Sequence, residues 1–518
     1  MSPDAATAGR REWLGLAVLA LPTLLLAIDL GVLYLALPKL SEDLHPSSTQ
    51  TLWIMDIYAF MTAGFLVTMG TLGDRIGRRR LLMIGATAFG IASVFAAFAP
   101  SAETLIVARA LLGIAGATLA PSTLALISTM FTNEGERGKA IGVWMSCFMA
   151  GTALGPVVGG VLLQWFWWGS VFLLGVPVMI VLIVAAPRLL PEYRDPNGGK
   201  LDLVSVALSL ATILPIIYGI KEIAHGGAGV LPLAIIAAGL VVGVVFVLRQ
   251  RKLANPHVDV GLFRFPAFSG ALGALLLGPA VMGGVGLFAN QFLQMVENLS
   301  PLQAGLWAVP SALATVVSAM YAPSLAQRIR PGYIVCAGAV ILTIGALVLT
   351  QVTSESGLAT LVIGMTLVFF GFGPMASLGT ELIIGAAPEE KAGSAASMSE
   401  TSSELGVALG VGILGAVGTA VYRGEIAGTL PQGGPEAAKD TLAGALSAVT
   451  DGGSAVLTAA RAAFTSGLTT VALVCAGIGV VLAVLAASLL RRVGAPEPSP
   501  EPSAAPETET ETAAAEVV

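Results

Sequence analysis

The 518-residue chain is 55% hydrophobic and only 11% charged, with a mean hydropathy of +0.86. Soluble domains carry roughly 25% charged residues, so these values exclude a soluble globular protein and name lipid as the solvent. The formal net charge of -6 decides little, because in a membrane chain the placement of charge matters more than its sum.

A bilayer core needs about 20 apolar residues per helix. Such runs lie at about 13–37, 52–72, 81–99, 104–130, 140–162, 169–187, 202–221, 230–250, 267–292, 303–323, 333–352, 358–386, 394–421 and 464–490. They predict an all-α integral membrane protein of about fourteen spans. The first run lacks a small-residue cleavage site and leads into further spans, so it reads as a retained helix and not a signal peptide. Basic residues fall in every second connection: Arg10 and Arg11, the cluster from Arg75 to Arg80, Arg137 and Lys139, Arg188, Arg194 and Lys200, then Arg249, Arg251, Lys252 and Arg264, Arg328 and Arg330, Lys391, and Arg491 and Arg492. Those connections hold roughly twenty of the 26 Lys+Arg and the other side about five, which predicts both termini in the cytoplasm.

Two segments are not spans. Residues 491–518, rich in Pro, Glu, Thr and Ala, cannot bury a core and read as a disordered cytoplasmic tail. Residues at about 423–463 contain PEAAKDTLAGALSAV and GSAVLTAARAAF around TDGG, a composition that predicts an external helical hairpin with a Gly break. Cys147, Cys336 and Cys475 each sit in an apolar run without the clustering of a disulfide framework or metal site. His45, His225 and His257 fall in connections and read as solvated. No metal site or cofactor is expected.

Several residues break the apolar pattern in ways that carry chemistry. Asp29 lies near mid-span in the first run and Asp56 in the second; Glu381 lies in the twelfth, and Glu400 and Glu404 in the thirteenth. The i, i+4 spacing of the last two puts them on one helix face. Ionising a carboxylate in a low-dielectric site is costly, so a proton and a cation can compete for it, which is the core of antiport. Asp29 and Glu400 are expected to bear the exchangeable charges, with Asp56 and Glu381 assisting; Glu404 is a further candidate carboxylate. Arg109 in span four needs a cavity, a partner or a path to the interface. In the connection after span two, Gly70, Asp74, Arg75, Gly77, Arg78 and Arg79 combine tight-turn residues with a carboxylate able to pair with a cation. In span five, Gly151, Gly155 and Gly159 lie four apart on one face open to close helix contact. Pro156 beside them favours a kink, and Gly160 extends the motif. Trp53, Tyr58, Trp144, Met145, Phe148 and Trp307 could line a path for organic cations, through cation–π attraction and thioether adaptability.

The connection GTLGDRIGRRR resembles the signature loop of the major facilitator superfamily, and the span-five glycines resemble its antiporter motif. Arg109 resembles its buried span-four arginine, to which the resemblance gives a proton-relay role. From about residue 10 to 490 the chain is similar to the fourteen-helix drug:proton antiporters. Ala36–Pro38, LWIMDIY at Leu52–Tyr58 and SETSSELG at Ser399–Gly406 bring it near the quaternary-ammonium and dye exporters. The resemblance implies a cytoplasmic segment 1–12, a six-helix bundle over 13–200, two linking helices in 201–252, a second six-helix bundle over 253–490 and a tail over 491–518. It also implies multidrug export by alternating access in the bacterial inner membrane, driven by the proton gradient, with lipophilic, often cationic compounds (quaternary ammonium compounds, dyes, antibiotics), protons and lipids as partners, no nucleic acid and a monomeric chain. Two departures stand out: Asp29-Leu30-Gly31 replaces an Asp-x-Thr pattern, and span ten, PSALATVVSAMYAP, lacks an acid. A narrow exporter of one endogenous metabolite or antibiotic would share the fold and carboxylates. An importer disagrees with the span-five glycines. An enzyme would need a nucleophile–base or metal constellation that the sequence does not offer, and no GxxxxGK[ST] segment suggests ATP use.

Overall fold

The computed structural model describes residues 8–192, 194, 202–227, 229–253, 256, 258, 260–355, 357–385, 392–429, 435–449 and 455–490. The expected tail at 491–518, most of the segment 1–12, and Lys200, His257, Lys391, Arg491 and Arg492 lie outside these residues. Fourteen helices of the described chain are long and apolar enough to cross a bilayer.

The first half contains α1 (Arg10–Leu44), α2 (Ser48–Ile76), α3 (Arg78–Ala97), α4 (Ala102–Gly116), α5 (Leu119–Met130), α6 (Glu134–Trp165), α7 (Ser170–Leu173) and α8 (Gly175–Leu189). The pairs α4/α5 and α7/α8 each make one span. Local chemistry sets the boundaries. Ser47 opens α2 with a capping box, its hydroxyl accepting from the Gln50 amide while the Gln50 side chain accepts from the Ser47 N–H. Ser101 and Thr104 repeat the device at α4. Within this half α1 packs on α6, α2 on α4, and α3 on α8.

Next come α9 (Leu203–Gly226) and α10 (Val230–Gln250), which pack on each other. On α10, Val230 is 88% and Leu231 71% exposed, an apolar surface stable only in lipid. The second half contains α11 (Pro266–Gln291), α12 (Pro301–Ala326), α13 (Pro331–Leu349), α14 (Leu358–Gly385), α15 (Ala392–Leu409), α16 (Gly415–Thr429), α17 (Glu436–Asp440), α18 (Leu442–Ala448) and α19 (Ala455–Leu485). A π-helical turn, Gly410–Leu414, joins α15 to α16 in a single span. Here α12 and α13 pack on α14, α11 on α15, and α13 and α16 on α19.

The halves meet where α6 faces α12 and α2 faces α15. The end of the bundle that carries the α2–α3 turn is the basic end; the end that carries α17 and α18 is the far end. The expected hairpin at 423–463 takes a different form. Its first arm is broken into α17 and α18 at Thr441, whose hydroxyl accepts from the Gly444 amide to start a new helix. Its second arm is the opening of α19, continuous with the last span. TDGG, the expected break, lies outside the described residues.

Candidate functional site

The α2–α3 turn depends on one left-handed residue. Gly77 has φ 110°, and a Cβ there would fall 2.3 Å from a Glu192 carboxylate oxygen. Asp74 and Arg78 pair at 2.6 Å across the turn. Arg79 reaches Glu192 at 3.3 Å and donates to the Leu190 carbonyl at 3.0 Å, pinning the turn to the end of α8. Glu192 escaped the sequence reading; its only signal was a carboxylate directly after span six. Arg75 is exposed, and Gly70 faces open space, so close packing explains Gly73 and Gly77 but not Gly70.

The glycine row of α6 packs on α1. A Cβ at Gly151 would lie 2.6 Å from the Leu24 carbonyl, at Gly155 3.2 Å from the Ile28 carbonyl, and at Gly159 3.0 Å from Val32. The adjacent face meets the other half: a Cβ at Gly160 would lie 2.8 Å from Leu302 Cα, and one at Gly305 would strike the Pro156 carbonyl. One motif thus serves two helices.

Arg109 is buried, which rules out a path to the interface. Its Nε donates to the Ile54 carbonyl at 3.2 Å, its Nη1 lies 3.5 Å from Asp29 Oδ2, and its guanidinium stands 4.8 Å over the Tyr58 ring. Asp29 is therefore half of an ion pair and not a lone carboxylate. Asp56 is also paired, with a residue the sequence reading passed over: Lys221 Nζ on α9, at 2.8 Å, both side chains 0% exposed.

Glu400 and Glu404, one turn apart on α15, have no such cation partner in the described structure. They line a cavity of about 560 Å³ with Tyr58, Thr62, Trp144 and Phe148. Glu400 is exposed to the cavity and Glu404 half-buried. The Trp144 indole N–H is buried there with no hydrogen-bond partner among the described residues. A second cavity, about 880 Å³, lies between the halves. It is mainly apolar, and Tyr34, Thr152, Asn290 and Ser311 supply polar side chains, alongside Met282, Met365 and Phe369. No sequence pattern announced it, since its lining comes from six helices.

Four expected site residues fall elsewhere. Glu381 is exposed close to the end of α14, at Gly385, away from both cavities. Met145, 44% exposed, sits a residue beyond Trp144 and so about 100° round the helix, facing out. Trp307, 43% exposed near the start of α12, has the placement of an interface anchor. Trp53 lines neither cavity; its ring lies against Phe60 and under the Lys221 ammonium.

The sequence family described as Major Facilitator Superfamily matches residues 19–411. The chain is 42% identical over 498 residues to the multidrug efflux pump LfrA of Mycolicibacterium smegmatis, covering 95% of this chain and 99% of that protein. It is 34% identical over 411 residues to the methyl viologen resistance protein SmvA of Salmonella typhimurium, covering 78% and 82%. Among solved structures, a bacterial homologue of the human lysosomal transporter Spinster matches with TM-score 0.65 at 17% identity, over 93% of this chain and 97% of the other.

Proposed function

This chain belongs to the Major Facilitator Superfamily, and from its drug-exporting relatives we propose that it is a proton-driven multidrug exporter of lipophilic, often cationic compounds that works by alternating access. The observation that carries the reading is the cavity in which Glu400 and Glu404 stand opposite Tyr58, Trp144 and Phe148. Carboxylates without a cation of their own attract a positive ligand, aromatic faces hold an organic cation, and the Trp144 N–H can bind an acceptor on it. The mainly apolar second cavity offers room for the lipophilic part of a large molecule.

A proton and a cation competing for the same carboxylates would couple the two flows. The gradient supplies about 1.4 kcal/mol per pH unit, and a potential adds about 2.3 kcal/mol per charge per 100 mV. The distribution of basic residues supports a cytoplasmic basic end in the bacterial inner membrane. The name of one relative, a methyl viologen resistance protein, supports a cationic substrate, and that of the other, a multidrug efflux pump, supports a broad range of drugs.

The test uses ethidium and a pH gradient in proteoliposomes. Wild type should exchange ethidium for protons. The Glu400→Gln/Glu404→Gln double variant should lose about tenfold of its ethidium affinity, the equivalent of roughly 1.4 kcal/mol, together with gradient dependence. Unchanged exchange in the double variant removes this cavity from the mechanism.

A further inference from the structure

The Asp56–Lys221 pair lies where three parts of the molecule converge. Asp56 belongs to α2 in the first half and Lys221 to the linking helix α9; the π-turn between α15 and α16 closes over them from the second half. A Cβ on Gly412 of that turn would come within 2.9 Å of Asp56 Oδ2 and 3.2 Å of Ile217. Only a glycine lets the backbone of the second half approach the pair so closely. Apolar side chains complete the enclosure, among them Phe60, Ile217 and Ala408, one from each of the three parts.

The surroundings of the ammonium are specific. Lys221 Nζ donates to one carboxylate oxygen at 2.8 Å and lies 3.8 Å from the centroid of the Trp53 ring. A carboxylate and an indole face around one nitrogen is the chemistry by which proteins recognise free ammonium ligands. The other oxygen, Asp56 Oδ1, is buried with no hydrogen-bond partner among the described residues. Burying an ion pair is costly even when every lone pair is satisfied, and apolar residues of similar size often stabilise a fold more. A pair kept as a static brace would be expected to fill both oxygens. This one keeps an acceptor empty.

We propose that Trp53 and Asp56 form a cation-binding site for a primary ammonium, whose resident in this conformation is the chain's own Lys221. Lys221 is a tethered ligand: it fills the site while Gly412 closes over it, and it ties α9 to α2. For the exporter proposed above, on which this consequence rests, Asp56 is out of reach of drug cations until α15 and α16 withdraw. The empty Oδ1 is then where an incoming proton or ammonium first meets the carboxylate.

The test needs no transport, so it stands or falls separately from the export assay. Lys221→Ala leaves a channel the length of the lost side chain. The full-length variant is purified with propylammonium chloride present from extraction onward. Its melting is then followed as that salt is removed and titrated back, with 1-propanol as the neutral control of the same shape. The expected result is a saturable rise in Tm with propylammonium, absent with 1-propanol, absent in wild type and absent in Asp56→Asn/Lys221→Ala. A variant that folds only with propylammonium present gives the same answer. Equal responses to propanol and propylammonium would mean that Lys221 merely fills space, and the proposal would be wrong. So would no response, or a Lys221→Ala protein that stays unfolded in saturating propylammonium.

Discussion

Arg109 and Asp29 are polar in a setting that otherwise excludes polarity, and their partners decide what each can do. The guanidinium makes one hydrogen bond to the Ile54 carbonyl and one ion pair at 3.5 Å to Asp29, with the Tyr58 ring beneath it. Removing the cation alone strands a carboxylate in the bundle, which in buried pairs costs about 3–5 kcal/mol. Arg109→Met should therefore lower the melting temperature sharply, and Asp29→Asn added to it should recover most of that loss. Exchange of protons for ethidium should stay lost in both, if the pair serves coupling as well as folding. A double variant that melts like the single one would show that the two side chains act independently. Both residues were legible in the sequence as charges inside apolar runs, and so was Asp56. Lys221 was not, because it stands near the end of its span in IYGIKEIAH, where a lysine ordinarily reaches for water. Only the packing of α9 against α2 turns it inward.

At the scale of the helix, the spacing of Gly151, Gly155 and Gly159 announced a bare face, and the structure adds what lies against it. The contact at Gly151 is backbone, a Leu24 carbonyl 2.6 Å from where a Cβ would stand, whereas at Gly159 it is a Val32 side chain at 3.0 Å. A carbonyl within a helix cannot step aside as a methyl can. Gly151→Ala should cost about 1–3 kcal/mol, the range for overpacking a dense interior, and Gly159→Ala less. Gly142→Ala on the same helix, with nothing within 4 Å, should be neutral or slightly stabilising. Melting curves of the three purified variants give the ranking directly; a Gly142→Ala protein as unstable as Gly151→Ala would mean that α1–α6 contact is not what the row provides. The number of spans was legible because lipid makes apolar length a strict requirement; their limits were less so, since α1 runs on to Leu44 and α19 starts at Ala455, beyond the apolar runs. The π-turn at Gly410–Leu414 and the helix restart at Thr441 were not, since each is a local choice that depends on which neighbour the chain meets.

The whole molecule is held at the far end by contacts that cross between halves. Gln294 of the second half donates to the Leu35 carbonyl of the first at 3.0 Å, and Gly160 packs on Leu302. The segment formed by α17 and α18 adds a polar clasp. Asp440 accepts from the backbone N–H and the hydroxyl of Ser48, both at 3.1 Å, at the N-terminus of α2, where the helix dipole favours a carboxylate. On its own side Asp440 lies 3.8 Å from Arg423, and the Tyr422 hydroxyl donates to the Ala438 carbonyl at 2.7 Å. The clasp therefore moves with the second half and grips the first. Alternating access requires this end to part, so a covalent bond in place of the hydrogen bonds should stop the cycle. Ser48→Cys/Asp440→Cys, made after Cys147, Cys336 and Cys475 are replaced by serine or alanine, brings two thiols to positions whose side chains already touch. Oxidation should abolish ethidium export, and reduction should restore it in the same vesicles. Either single cysteine should respond to neither treatment. Export that continues at the reduced rate after complete cross-linking, verified by mass spectrometry, would mean that the halves do not separate between α2 and the α17–α18 segment, and the opening would have to be sought along the α6–α12 contact instead.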